Sequence, residues 1–311
     1  MTTFEPAYLR LHRAGELKHR AEQAREHEKA CDLCARYCGV DRAERHGACR
    51  TGLKARVASF GPHHGEEDPL RGWRGSGTIF FSWCNLRCQY CQNADISQGP
   101  SGREIDSEEL ATIMLTLQES GCHNINFVSP SHVVAEILEA LVIAVEHGLR
   151  IPLVYNTGGF DSLEALALLD GVIDIYMPDM KYSDRLVARR LSKIGNYPHV
   201  NREAVREMHR QVGDLQMDSR GIALRGLLVR HLVLPENLSG TEEVVQFLAE
   251  EISKETYLNL MNQYRPAYKA HSYPPLDRPL GSAEYTQAIE LAKAAGLERL
   301  DKRIRIPRFL F

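Results

Sequence analysis

Short apolar or β-branched runs alternate with longer amphipathic stretches from residue 77 onward. The runs predict six strands, at residues 78–81, 124–128, 153–156, 173–177, 227–234 and 257–263. The stretches between them predict helices, two of which open with the pairs Asp106 and Glu109, and Asp161 and Glu164. Strand–helix alternation is typical of a parallel sheet in an α/β protein. Six strands are too few to close an eight-stranded barrel, so we predict a partial (β/α)6 barrel of the TIM type.

Two regions precede this alternating part of the chain. Residues 1–30 are charged and rich in Ala, Glu, Lys and Arg, which predicts a solvated helix. Residues 31–74 lose the helical period and are rich in Gly, His and Cys, which predicts a cysteine-rich module and a connecting loop. We therefore predict an N-terminal helix and metal-binding module at 1–74, the partial barrel at 75–265 and a helical extension at 266–311.

Composition narrows the class of protein. The chain has 311 residues, and its 38 Lys and Arg nearly balance its 41 Asp and Glu, so no basic excess points to nucleic acid. No apolar run approaches the roughly 18 residues of a membrane span. The N-terminus lacks the apolar segment of a secretory signal. These features predict a soluble, cytoplasmic protein without a membrane partner.

Polar residues lie at or just after the carboxyl end of each predicted strand. Because such ends meet at one edge of a parallel sheet, we expect these side chains to share one pocket. The candidates are Cys84, Ser129, His132, Asn156, Thr157, Asp179, Lys181, His231 and Gln263.

Three cysteines follow the first predicted strand: Cys84, Cys88 and Cys91. Thiolates are soft ligands that suit zinc or iron–sulfur clusters. A structural zinc site takes four protein ligands, whereas three thiolates on a four-iron cluster leave one iron open to a small molecule. The incomplete set therefore favours a catalytic cluster over a zinc knuckle completed by a remote histidine.

The spacing Cys84-x3-Cys88-x2-Cys91 resembles the signature of the radical S-adenosylmethionine (SAM) superfamily. The resemblance implies a [4Fe–4S] cluster on these cysteines, whose open iron binds SAM. It also implies reductive cleavage of SAM to a 5′-deoxyadenosyl radical that abstracts hydrogen from a substrate. Tyr90 matches the position that contacts the adenine. An electron donor of the flavodoxin or ferredoxin type is implied as a partner.

Residues 177–181 resemble the D-x-K element of glycyl-radical-enzyme activases, which implies that Asp179 and Lys181 help to hold SAM. In those proteins an M-x-D element and a D-T pair bind a monovalent cation. Met177 and Asp179 match the first element. Asn156 and Thr157 stand in place of the D-T pair, so the implied cation site is weaker by one charge. Thr157 is also implied as a contact of SAM.

The sequence departs from the family after the second strand, where many members carry G-G-E to bind the amino group of SAM. The segment 129–132 reads Ser-Pro-Ser-His instead. Ser129, His132 and His231 are the candidate polar contacts of SAM that remain. The Gly-rich N-terminal signature of the activases is also missing from this sequence, which weakens that assignment.

Over nearly its full length the chain resembles the pyruvate-formate-lyase-activating-enzyme-like (PflX-type) branch of the superfamily. The branch implies an oxidoreductase or lyase, and a glycyl-radical-enzyme activase is one reading of it. A second reading is an enzyme that modifies a peptide or a small molecule. A third, less favoured, is a non-catalytic iron–sulfur or zinc protein. The family carries the loop at 61–67 directly ahead of the first strand, so Glu66 and Glu67 are expected at the site, and His63 and His64 in solvent.

A second cysteine cluster precedes the barrel: Cys31, Cys34, Cys38 and Cys49, called the quartet below. Four thiols suffice for a closed zinc site or a saturated [4Fe–4S] cluster. Zinc would act as a structural clip, and an iron–sulfur cluster as an electron relay or substrate anchor. Both readings stay open from the sequence. Cys122 is expected to be a buried thiol outside both sets.

Overall fold

The computed structural model describes residues 4–301, which form nine strands and eleven α-helices. The strands are β1 (Ala55–His63), β2 (Ser76–Phe81), β3 (Arg103–Ile105), β4 (Ile125–Val128), β5 (Leu153–Thr157), β6 (Ile175–Pro178), β7 (Gln216–Met217), β8 (Ala223–Leu232) and β9 (Tyr257–Met261). The helices are α1 (Tyr8–Arg13), α2 (Glu16–His27), α3 (Asp68–Arg71), α4 (Ala94–Ser97), α5 (Ser107–Glu119), α6 (Val134–Glu146), α7 (Leu163–Leu169), α8 (Arg185–Ser192), α9 (Tyr197–Val212), α10 (Thr241–Phe247) and α11 (Ser282–Ala294).

Six strands, β2, β4, β5, β6, β8 and β9, pair in parallel in that order. These are the six predicted strands, so the prediction of a parallel α/β sheet is confirmed. Their register places Phe80 beside Val128, Val128 beside Asn156, and Asn156 beside Met177. The carboxyl ends of four strands are therefore level, and the polar residues that follow them lie along one edge.

The sheet extends further than the sequence predicted. β1 pairs antiparallel with β2, and β3 pairs antiparallel with β1. The prediction of a connecting loop is wrong for residues 55–63, which form β1. Ala55 and Val57 are buried, but the second half of β1 extends beyond the pairing with β3 and is mostly exposed, so no apolar alternation marks it in the sequence.

The N-terminal segment forms two helices that break at Gly15, which has a φ of 74°. Tyr8, Leu17 and Ala24 are fully buried in the main core. The Tyr8 hydroxyl donates to the Ile151 carbonyl across 2.9 Å. The prediction of a solvated helix is therefore wrong for the inner face. At the other end, α11 lies in the predicted helical extension 266–311, and residues 302–311 of that prediction lie outside the described residues.

Side chains alternate between the two faces of the sheet along each strand, and the two faces pack in different clusters. On β5, Tyr155 packs in the main core against the outer helices, whereas Val154 belongs to a smaller cluster on the opposite face, inside the curve of the sheet. A third apolar cluster includes Leu86 and Tyr90 of the loop after β2. The inner face and this loop enclose the site described next. None of the helices in residues 4–301 is long and apolar enough to span a membrane.

Candidate functional site

The loop after β2 carries Cys84, Cys88 and Cys91, which lie close enough to influence one another electrostatically. Each sulfur has a polar neighbour. The Leu86 amide donates to the Cys84 Sγ across 3.4 Å, while the Sγ atoms of Cys88 and Cys91 lie 3.0 and 3.2 Å from the hydroxyls of Ser192 and Ser97. Burial raises the pKa of Cys88 to about 12, and nearby Lys181 opposes that rise.

These neighbours suit a four-iron cluster, which takes one thiolate per iron. Hydrogen bonds to sulfur are also a means by which proteins tune such clusters.

Aromatic rings pack beside the cysteine loop. The hydroxyls of Tyr90 and Tyr182 are 2.7 Å apart, and Tyr182 also lies 2.7 Å from Ser192 Oγ. The Tyr90 ring contacts that of Tyr264 with centroids 6.0 Å apart. Ser192 in turn contacts Cys88. Tyr90, the predicted adenine contact, is thus linked to a cysteine through two hydroxyls, and these buried rings exclude water from the loop.

Asp179 and Lys181 lie under the cysteine loop, at the end of β6. Lys181 Nζ is 2.5 Å from Asp179 Oδ2, and Arg230 Nε donates to Asp179 Oδ1 across 3.0 Å. Arg230 also donates to Asn156 Oδ1 across 2.7 Å. Burial acts to raise the pKa of Asp179, but Arg230 and Lys181 hold it below its ordinary value. Asp179 is therefore an ionised carboxylate between two cations.

The sequence analysis did not select Arg230 as a site residue and selected its neighbour, His231, as a SAM contact. Arg230 and His231 are consecutive on β8, so they point to opposite faces. His231 is buried on the outer side, with Nδ1 2.6 Å from the Met180 carbonyl and Nε2 3.0 Å from Thr241 Oγ1. The signal that could have identified Arg230 is a cation directly after the apolar run 227–229 of β8.

Polar groups continue along the inner face. Glu66 lies 4.0 Å from Arg230, and Asn259 donates to Glu67 Oε1 across 2.6 Å. Both glutamates are buried, while His63 and His64 are exposed, as predicted.

Asn126 on β4 is fully buried, yet neither atom of its amide has a hydrogen-bond partner within residues 4–301. Glu67 Oε2 is likewise buried and unpaired in this part of the chain. Unpaired buried polar atoms are rare in native proteins, so they indicate where a bound molecule would supply partners.

Asp161 contacts Thr157 and has a different role from the one that the sequence predicted. Asp161 was predicted to open a helix, but Ser162 caps α7 and Asp161 is buried instead. Its carboxylate accepts from Thr157 Oγ1 across 2.7 Å and from the Tyr155 hydroxyl across 3.1 Å. Burial raises the pKa of Asp161 above its ordinary value. Thr157 is therefore held by Asp161.

The last two predicted SAM contacts belong to the segment after β4. The Ser129 amide donates to the Asn156 carbonyl across 2.9 Å, which places Ser129 at the edge of the site. His132 points the other way: its Nε2 lies 2.9 Å from the Ser82 carbonyl, and its ring lines the cavity formed by the quartet. Burial lowers the pKa of His132 to about 4, so its ring is neutral.

Comparison with known proteins identifies the family. The model of the radical SAM superfamily matches residues 78–248. The chain is 32% identical to the uncharacterized protein MJ0674 of Methanocaldococcus jannaschii, over 90% of this chain and 79% of that protein. It is 23% identical to MJ0808 of the same organism, over 82% and 76% of the two chains. This protein therefore belongs to the radical SAM superfamily, as predicted.

Two solved structures are also similar. A radical SAM methyltransferase from Sphaerobacter thermophilus has a TM-score of 0.46 and 15% identity, covering 74% of this chain and 67% of that one. TYW1 with a lysine-pyruvate adduct bound has a TM-score of 0.44 and 12% identity, covering 70% and 72%.

Family membership implies a [4Fe–4S] cluster and SAM, and radical SAM enzymes generally need an electron donor and a substrate. The residues fit these groups: three neighbouring thiols suit the cluster, and the inner face offers charged and unpaired polar atoms to a zwitterion. The PflX-type branch and the monovalent cation stay predictions.

Proposed function

We propose that this protein is a radical SAM enzyme that abstracts a hydrogen atom from a small polar molecule bound inside the curve of the sheet. One observation carries the proposal: Lys181, ion-paired with Asp179, and Leu86 of the cysteine loop both lie within 4 Å of a Cβ atom built on Gly158. The cysteine loop and the D-x-K element thus meet in one place. The bound cluster and SAM would supply the one-electron chemistry that produces a hydrogen-abstracting radical.

The residues of the chain have distinct roles in this proposal. Cys84, Cys88 and Cys91 hold the cluster. Lys181 offers a cation to the carboxylate of SAM, and Asp179 offers an acceptor to its donor groups. Tyr90 packs beside the adenine and keeps water away from the loop.

Support for a small substrate comes from the segment after β9, which packs on the cysteine loop. The Lys269 amide donates to the Gln89 carbonyl across 2.9 Å, and Gln92 Nε2 donates to the Gln263 carbonyl across 3.2 Å. On the opposite side, Arg36 Nε donates to the Asn85 carbonyl across 2.7 Å. A glycine loop of a partner protein, the substrate of an activase, would have to displace this covering.

Asn126 and Glu67 support the same conclusion, because both lie buried on the inner face with unpaired atoms. A small molecule with both donor and acceptor groups would pair with them. We further propose a cytoplasmic location and a one-electron donor of the ferredoxin or flavodoxin type.

The test divides a cell extract of the source organism into a dialysable and a protein fraction. Each is added to the anaerobically reconstituted enzyme with SAM and dithionite, and 5′-deoxyadenosine is measured. The proposal expects the dialysable fraction to increase its formation and Cys88→Ala to abolish the increase. An increase with the protein fraction alone would favour the activase function instead.

A further inference from the structure

The quartet lines a single enclosed cavity ahead of the barrel, together with Arg42 and His132. A short loop brings the first three cysteines of the quartet together. The Cys31 amide donates to the Val40 carbonyl across 2.9 Å, and the Gly39 amide donates to the Cys31 carbonyl across 3.0 Å. Cys49 then arrives from a separate turn. The four thiols therefore face one space although Cys31 and Cys49 are far apart in the sequence.

Glycine and backbone amides are placed as a thiolate site requires. A Cβ atom added to Gly47 would lie 2.9 Å from Cys38 Sγ, so only glycine allows this close approach. The next amide, that of Ala48, donates to Cys38 Sγ across 3.4 Å. Burial raises the pKa of Cys31 and of Cys34, and the backbone amides of Leu33 and Arg36 oppose that rise.

A buried cation faces the same cavity. Arg42 is only 3% exposed, and its terminal nitrogens lie 3.1 Å from carboxylate oxygens of Glu28 and Glu136. Its Nε is buried and has no hydrogen-bond partner in residues 4–301. Burial raises the pKa of Cys31, and the Arg42 guanidinium opposes that rise. A buried cation that lines the cavity with an unpaired Nε suits an anionic centre there.

Asn85 connects the quartet to the catalytic cysteines. Its Oδ1 lies 3.8 Å from Cys84 Sγ. Burial raises the pKa of Cys34, and the same amide side chain is near enough to that thiol to oppose the rise. Asn85 is buried and fixed, because its Nδ2 donates to the Phe160 carbonyl across 2.7 Å. Arg36 also acts electrostatically on Cys34, Cys38 and Cys84. One side chain and one cation are thus shared by both cysteine sets.

We propose that the quartet holds a second iron–sulfur cluster, ligated by all four thiolates and electrostatically coupled to the first through the Asn85 contact. Four thiolates saturate a four-iron cluster, so this centre has no open corner for SAM. A change of charge at one cluster acts on the other across a buried, low-dielectric path. A zinc ion would fill the quartet without redox activity, which makes zinc the competing outcome.

The deciding experiment removes the catalytic ligands and leaves the quartet intact. The variant Cys84→Ala/Cys88→Ala/Cys91→Ala is reconstituted anaerobically in the presence of iron, sulfide and zinc, and its metal and sulfide contents are measured. The proposal expects iron and sulfide in equal amounts, roughly four of each per chain. It also expects an EPR signal of the reduced protein that SAM does not alter. Zinc without iron, or no bound metal, would overturn the proposal.

Two further variants assign the cluster to its residues. Adding Cys34→Ser to the triple variant is expected to remove the remaining iron and its EPR signal. Adding Cys122→Ser is the matched control, because Cys122 is buried outside both sets, and the iron content should not change. Unchanged iron after Cys34→Ser would place the cluster elsewhere and refute the assignment.

Coupling between the clusters has its own measurement. In the wild-type protein with both clusters reduced, the EPR signal is expected to be broadened relative to the sum of the two single-site proteins, Cys34→Ser/Cys38→Ser and the triple alanine variant. Removing the quartet is also expected to raise the reduction potential of the first cluster, since a negative neighbour is lost. A strictly additive spectrum together with an unchanged potential would contradict the coupling.

Discussion

Arg230 donates from Nε to Oδ1 of Asp179 across 3.0 Å, and the same two residues bridge neighbouring strands through their backbones. The side-chain pair therefore has a fixed geometry, set by the pairing of β6 with β8. Arg230 also donates to Asn156 Oδ1, so its guanidinium connects the ends of β5, β6 and β8. This arrangement orients Asp179 and Lys181 under the cysteine loop.

Replacing Arg230 by Ala should cost both stability and binding of SAM. The change leaves the Asp179 carboxylate, whose side chain is 15% exposed, with only Lys181 as a partner. Breaking a fully buried pair typically costs about 3–5 kcal/mol, so the cost at this partly exposed pair should lie below that range. The free energy of unfolding is measured with denaturant, and binding of SAM by calorimetry. Arg220→Ala is the control, because Arg220 forms an exposed pair with Asp218. An Arg230→Ala protein that is as stable as this control would contradict the account of the site.

Asn126→Leu should stabilise the protein and impair its activity. The amide of Asn126 is buried without partners in residues 4–301, so its removal is expected to raise the free energy of unfolding by about 1–3 kcal/mol. The stimulation of 5′-deoxyadenosine formation by the dialysable fraction should be lost. The matched control is Asn124→Leu, since Asn124 is equally buried but bonded to Ser76 and Leu70. That variant should lose stability, and a loss in both variants would show that Asn126 is an ordinary structural residue.

Acid should destabilise the protein through His231. Burial lowers the pKa of this ring to about 4 from an ordinary value near 6.5. Below pH 6.5 the unfolded chain binds a proton that the folded chain excludes, so the stabilising contribution is complete above that pH and declines down to about pH 4. The decline should amount to roughly 3 kcal/mol.

Denaturant unfolding of wild type and His231→Gln at several pH values between 4 and 7.5 measures this effect. Gln retains one donor and one acceptor for Met180 and Thr241 but does not titrate. The two proteins should be similar in stability near pH 7.5 and diverge as the pH falls, with wild type losing roughly 3 kcal/mol relative to His231→Gln by about pH 4. Parallel pH profiles would show that another group causes the acid lability.

The parallel sheet was predictable because β-branched and apolar runs separated by helical periods specify strand–helix alternation directly. The strands β1 and β3 were not predictable, since most of their residues are exposed or half-buried and show no apolar alternation. The two helices before residue 30 were recognised as helical, but the burial of Tyr8 and Leu17 depends on packing against elements more than a hundred residues away.

For the site, as for the fold, the sequence reveals local patterns but not contacts between residues that are distant along the chain. The three cysteines were predicted as cluster ligands from their short spacing together with their position directly after the first predicted strand, both of which are local features of the sequence. Arg230 and His231 differ by one position, and only the register of β8 decides which of them faces inward. Asp161 carries a helix-start pattern that Ser162 fulfils instead. The contact of Asn85 with both cysteine sets exists only in three dimensions.

The central claim is that Cys84, Cys88 and Cys91 hold a cluster that cleaves SAM. The most direct measurement is 5′-deoxyadenosine formation by anaerobically reconstituted protein with SAM, dithionite and the dialysable fraction. Cys88→Ala is compared with Cys122→Ser, which removes a cysteine outside both sets. Wild type and Cys122→Ser should form the product at similar rates, and Cys88→Ala should form none. Equal product from Cys88→Ala, or none from fully loaded wild type, would contradict the claim.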